Sequence, residues 1–165
     1  MWSSKYNKPR IEARRKRRLE QHQKIMARYT EQKDFALVGY AAGLIDGEGC
    51  ILINRQGTAY TLQVRVGMSS NKAVSLMHKT FGGSLKINNF SHMYTWVLCS
   101  MEAEGFLRCI LPFLLVKKDE AQVAIAFREH ILETRREGQS TPLRALAIRE
   151  AYRLKLQELK HGTKR

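Results

Sequence analysis

The 165-residue chain has no apolar run near the roughly 20 residues needed to cross a bilayer, so no membrane-spanning helix is expected. Its three cysteines, Cys50, Cys99 and Cys109, are odd in number and show no CxxC spacing. That excludes a disulfide framework and a zinc site as working expectations. A reducing, intracellular setting fits best, whether cytoplasm, nucleoid or organellar matrix. The five histidines (His22, His78, His92, His130, His161) are scattered without metal-ligand spacing, and none is assigned to catalysis. No tandem repeat is present. Acidic residues are the scarcest class relative to their opposites: 15 Asp+Glu stand against 29 Lys+Arg, a formal charge of +14.

What is there is a chain able to bury a core unaided, 44% hydrophobic and 27% charged, which is neither a disordered tail nor a membrane protein. The charge is unevenly placed. Residues 1–33 carry eleven Lys/Arg against three Glu, a net of +8; residues 34–120 are nearly neutral at +1; residues 121–165 carry +5. A neutral centre with cationic ends points to a polyanion, nucleic acid before an anionic membrane surface. The chain divides accordingly into a basic helical arm (1–33), a core (34–138) and a basic C-terminal helix (139–165).

Residues 11–29 hold no Gly or Pro, so they favour helix, but Ile11, Leu19, Ile25, Met26 and Tyr29 are too sparse for a strong buried stripe. Arg14, Arg15, Lys16, Arg17 and Arg18 form an unbroken basic run, expected to be a frayed helix or arm until it meets phosphates. An organellar transit peptide is the competing explanation; three glutamates and little serine weigh against it. From Asp34, a possible N-cap, the chain turns apolar on most faces through Ile45, which predicts a buried helix. Gly39 and Gly43 lie four apart with Ala42 beside them. Since glycine inside a helix costs about 1 kcal/mol relative to alanine, close approach of another backbone is the expected reason.

Strands follow at Cys50–Gln56 and Tyr60–Met68, a short helix at Asn71–Phe81 stopped by Gly82-Gly83, and a second strand pair at Ser84–Phe90 and Met93–Cys99. Glu102–Leu115 reads as a helix interrupted by Pro112, residues 119–137 as another closed by Gly138. A last helix starts at Thr141-Pro142 and runs to Leu159. Alternation puts Leu62, Val64 and Val66 on the core side, leaving Thr61, Gln63 and Arg65 outside. Leu52, Asn54 and Gln56, Lys86 and Asn88, and Thr95 and Val97 fall on the outer side by the same rule. Tyr94 and Trp96 are core positions. Gln, Asn and Arg make the bidentate major-groove contacts that discriminate bases; an ordinary solvated sheet face is the alternative.

Ala42-Gly43-Leu44-Ile45-Asp46-Gly47-Glu48-Gly49 resembles the signature of the LAGLIDADG homing endonucleases, with Ala41 in the place of the leading leucine; eight of nine positions fit. Leu111-Pro112-Phe113-Leu114-Leu115-Val116-Lys117-Lys118 is similar to the segment ahead of that family's catalytic lysine. The resemblance covers about residues 34–130 and implies an α+β fold: an αββαββα domain with a saddle-shaped antiparallel sheet, here extended by basic helices at both ends. It implies a homodimer whose seam uses Gly39, Ala42 and Gly43, and double-strand cleavage of a long, roughly palindromic DNA site, leaving 3′ overhangs. It also implies that Glu48, with the Gly47 carbonyl, holds Mg²⁺ or Mn²⁺, and that Lys117 is the active-site lysine, Lys118 being one register away. Asp46 is by the same resemblance a structural member of the motif. The expected DNA contacts are Asn54, Gln56, Thr61, Gln63, Arg65, Lys72, Lys86, Asn88 and the Arg14–Arg18 run. Physical chemistry agrees for Glu48: a carboxylate at a helix C-terminus is disfavoured by its own backbone, and two of them at a dyad call for a cation. A solvated acid in a turn is the plain alternative. Where the family often places Gln to order water, Met68 stands and cannot hydrogen-bond in that way. A catalytically weak or inactive RNA maturase, or a DNA-binding regulator on the same fold, is the alternative function.

Overall fold

A computed structural model describes residues 8–88, 90–135 and 139–162. Six helices and four strands follow in the order α1 (Lys8–Thr30), α2 (Phe35–Glu48), β1 (Gly49–Gln56), β2 (Ala59–Met68), α3 (Asn71–Phe81), β3 (Ser84–Asn88), β4 (Met93–Cys99), α4 (Ser100–Ile110), α5 (Lys118–Thr134) and α6 (Leu143–Gly162). A 3₁₀ turn, Leu111–Phe113, links α4 to α5. The strands form one antiparallel sheet in the order β1-β2-β4-β3. This is the expected α+β architecture.

Strand alternation builds the layers. Ile51, Ile53, Leu62, Val64, Val66, Trp96 and Leu98 are buried beneath the helices. Trp96 packs edge-on against Phe106 of α4, ring centroids 5.2 Å apart, and donates its indole N–H to the Gly82 carbonyl at 2.7 Å. Gly82 takes φ +77, a left-handed conformation that stops α3 at little cost only for glycine. The opposite face of the sheet is open, with Asn54, Arg65, Lys86 and Asn88 exposed on it, and α6 approaches it along the β1 edge.

Several boundaries differ from expectation, each for a local reason. β3 ends at Asn88 rather than Phe90, because the Asn88 carboxamide oxygen accepts the N–H groups of Phe90 (3.0 Å) and Ser91 (3.2 Å) and turns the chain. α4 ends at Ile110, not Leu115; Pro112 has no N–H to extend it. α5 ends at Thr134, and Gly138, the expected stop, lies outside the described residues.

Helix α1 is the larger correction. It is not merely an arm: its C-terminal half docks on α4. Tyr29 is buried and donates its hydroxyl to the Phe81 carbonyl at 2.8 Å, and burial raises the phenol to about 12. Gly105 makes the docking possible, since a Cβ there would lie 2.4 Å from the Tyr29 ring. Nearby, the fully buried Glu104 binds Arg108 (3.1 Å) and His22 of α1 (3.2 Å), with Arg128 at 3.6 Å. A buried carboxylate with several cationic or N–H partners couples α1, α4 and α5.

Candidate active site and nucleic-acid interface

The motif occupies the end of α2 and the start of β1. Asp34 caps the helix by accepting the Leu37 N–H at 3.0 Å. Val38, Ala41, Ala42 and Ile45 form the buried stripe. Ala42 therefore belongs to the core of its own chain and has no exposed surface to offer the expected seam: the stripe that faces the sheet and α4 passes through it. The other face of α2 is uncovered, contrary to the expectation of burial all round. Phe35 is 70% exposed and Tyr40 is exposed. A Cβ built at Gly39, Gly43 or Gly47 meets nothing within 4 Å. Leu115 (87% exposed) and Val116 (63%) add to the uncovered apolar surface of the chain.

At the C-terminus of α2 the two acids part ways. Asp46 is tied down, one oxygen accepting the Leu115 N–H at 2.8 Å and the other the Lys117 N–H at 2.9 Å. Burial pushes its carboxyl up, but the backbone donors of Leu115, Lys117 and Val116 outweigh it and hold the pKa below the usual value. Glu48, two residues on, is exposed and forms no ion pair among the described residues. Gly49 ends the helix, its N–H on the Ile45 carbonyl; a Cβ there would meet Ile45 Cα at 2.6 Å, so only glycine fits the passage into β1.

Lys117 returns the contact. Its ammonium donates to the carbonyls of Ile45 and Asp46, both at 2.8 Å, capping the negative end of α2 with a positive charge. Lys118 is exposed on the first turn of α5, so Lys117 is the lysine bound to the motif helix. Glu120 lies buried in the same turn with one oxygen unpartnered; burial raises its pKa against the pull of Lys160 and Lys117. Sequence reasoning missed Glu120, because nothing in its spacing says that α5 faces inward there.

One chain offers no group of three or more His, Cys, Asp or Glu that would hold a metal among the described residues. The donors do suit a hard cation that keeps waters and phosphate oxygens, which needs only one or two carboxylates. Glu48 is such a donor, and the Gly47 carbonyl lies beyond the two that Lys117 takes.

The open sheet face carries the expected side chains. Asn54, Gln56, Arg65, Lys86 and Asn88 are exposed and Thr61 and Gln63 half-buried. Asn54 donates to the Gln63 carboxamide at 2.7 Å across the β1–β2 pair, which orients both amides. A groove of about 680 Å³ runs over Gln63, Arg65, Lys86, Asn88 and Thr95. A second, of about 790 Å³, lies where α6 flanks β1 and adds Arg153 and Lys160 to Arg55 and Arg65. The basic C-terminal helix is expected from the sequence to touch phosphates, but which of its cations reach the sheet edge is set only by the fold. Ile87, a core position by alternation, is 59% exposed because β3 is the edge strand. Lys72 is exposed at the start of α3. Arg14, Arg15, Lys16 and Arg17 are exposed on α1, whose main packing partner is α4 in the helical layer, so the structure does not bring them together with the open sheet face.

This architecture matches solved structures. The homing endonuclease I-CvuI, in complex with the I-CreI target in the presence of 2 mM Mg, is similar at a TM-score of 0.65 and 18% identity, over 80% of this chain and 87% of that one. The fold is that of the homing endonucleases. The archaeal intron-encoded homing endonuclease I-Vdi141I, complexed with DNA, matches at 0.63 and 16% identity over 78% and 86% of the two chains. The homing endonuclease I-TnaI matches at 0.55 and 16% over 75% and 93%. No family model matches the sequence, and no curated protein does. In the homing-endonuclease fold of this chain the motif glutamate, the bound lysine and the open sheet thus share one polypeptide.

Proposed function

We propose that the chain is a LAGLIDADG homing endonuclease that acts as a homodimer and makes a divalent-metal-dependent double-strand break in a long, roughly palindromic DNA site. The observation that carries this is the contrast at the end of α2: Asp46 and Lys117 lock the helix end to the loop before α5, while Glu48 beside them is left exposed. A turn acid with no task would not need so fixed a frame.

Two copies meeting through the uncovered face of α2, Gly39 and Gly43 against their twins, bring two Glu48 carboxylates to one dyad. Glu48 and the Gly47 carbonyl would hold Mg²⁺ or Mn²⁺, which when bound polarises the phosphodiester and acidifies water. Lys117 supplies a fixed positive charge beside the scissile region and sets the position of the α2 end. The Asn54–Gln63 pair, Arg65, Lys86 and Asn88 read base edges in the major groove, with Thr61, Gln56 and Lys72 at the margins. Arg153 and Lys160 add phosphate contacts along the β1 edge, which position the duplex without choosing sequence.

The test is cleavage of a site selected from a randomised duplex library. Wild type cleaves it with Mg²⁺; Glu48→Gln binds it with equal affinity and leaves it intact. Equal cleavage by both proteins, or by neither, rejects the enzyme and leaves a binding module, whether for DNA or for RNA.

A further inference from the structure

Strand β2 outruns its neighbour. Its pairing with β4 ends at Gln63↔Cys99, so residues 59–62 lie beyond the reach of that strand. The space left there is closed by the start of α4, the end of α5 and the beginning of α6, and holds a cavity of about 490 Å³. Arg128, Arg135 and Arg149 line it together with the hydroxyls of Thr61, Ser100 and Thr141; no Asp or Glu among the described residues does.

The three arginines are not equivalent. Arg128 has Glu104 at 3.6 Å. Arg149 is 6% exposed, reaches only the Thr134 hydroxyl at 3.2 Å and the Thr141 hydroxyl at 3.5 Å, and has no partner on Nε. It forms no ion pair among the described residues, because the next acid along α6, Glu150, is taken by Arg153 (2.6 Å) and Tyr60 (2.8 Å). Burial, then repulsion from Arg135, lowers the pKa of Arg149. A buried guanidinium without a counter-charge is costly unless something fills that role. Its planar fork matches a tetrahedral oxyanion, and flanking hydroxyls complete such a shell.

We propose that this cavity is a phosphate-binding site centred on Arg149, distinct from the Glu48 centre. It goes beyond the nuclease function, and only its duplex source rests on that function. Two sources share the chemistry: free phosphate, or a backbone phosphate of bound duplex at the Thr61 margin of the sheet.

Thermal unfolding of the full chain in sodium phosphate, against sodium chloride at matched ionic strength, reads the site directly. Wild type should show a saturable rise in melting temperature specific to phosphate. Arg149→Lys keeps the charge but loses the fork, so the half-saturating phosphate concentration should rise at least about tenfold. Because Arg149→Gln, the variant that removes the charge, can unfold the α5–α6 contact, the Arg149 Nε–H resonance of the wild type, identified by its absence in Arg149→Lys, is followed during phosphate titration as well. A duplex arm separates the sources. If backbone phosphate is the ligand, the salt slope of DNA binding falls by about one in Arg149→Gln, which removes the charge; if free phosphate is, the slope is unchanged while the thermal response is weakened. No phosphate-specific shift in wild type, or an equal one in the variant, overturns the proposal.

Discussion

Replacing Asp46 by Asn removes one charge and leaves the shape. The carboxylate accepts two backbone N–H groups, from Leu115 at 2.8 Å and Lys117 at 2.9 Å. Asn keeps one acceptor oxygen and turns an NH₂ toward the other donor, so one charge-assisted bond is lost. Such bonds contribute about 1.5–3 kcal/mol, and the partial exposure of the Leu115 contact favours the lower end, about 1–2 kcal/mol. At about 2–4 °C per kcal/mol for a chain of this length, the melting temperature at pH 7 should fall by about 2–8 °C. The pH dependence follows from the depressed carboxyl. Its folded pKa lies below the ordinary 3.8, so the stabilisation is fully present above that value and is lost as pH falls through the folded one. The gap between wild type and Asp46→Asn should therefore hold from pH 8 to 5 and close only in stronger acid. Cleavage should fall about tenfold or more, because the loop that carries Lys117 loses its anchor. Calorimetry across pH, with cleavage and binding on the same samples, checks all three. Equal melting temperatures at pH 7 would refute the anchoring argument.

Gly105→Ala forces a Cβ to within 2.4 Å of the Tyr29 ring and should cost about 1–3 kcal/mol, with faster tryptic release of α1. Gly43→Leu meets nothing within its own chain and should leave monomer helicity intact or raised while weakening self-association, as sedimentation equilibrium would show. Arg65→Ala should relax base preference at one position per half-site by about 1–3 kcal/mol, seen by selection from a randomised library; a uniform loss across all sequences would instead mark Arg65 as a phosphate contact.

Local chemistry made much of this legible in advance. Period-two alternation in Tyr60–Met68 put Thr61, Gln63 and Arg65 on the open face, and Asp34, Gly82 and Pro112 acted as punctuation where they were expected. The motif located the end of α2 within a residue. What stayed hidden depends on long-range contact. Asp46 and Lys117 are 71 residues apart, and their exchange of bonds is visible only once the loop before α5 returns to α2. Ala42 looked like a partner of Gly43, yet the 100° step between helix neighbours turns it into the core. The docking of α1 turns on the missing side chain of Gly105, 76 residues beyond Tyr29, and no periodicity in α1 announces it. Arg149 reads as one more charge on a basic helix until Glu150 is seen to be occupied elsewhere.

In the proposed dimer, one acidic group from each of two subunits shares a single metal-binding dyad. Crystals of the wild-type chain with its selected duplex and Mn²⁺, measured at a wavelength where manganese scatters anomalously, test it most directly. An anomalous peak is expected within coordination distance of both Glu48 carboxylates, on a two-fold axis where two α2 helices cross. A single subunit on the duplex, or two Glu48 side chains far apart with manganese bound elsewhere, would contradict it.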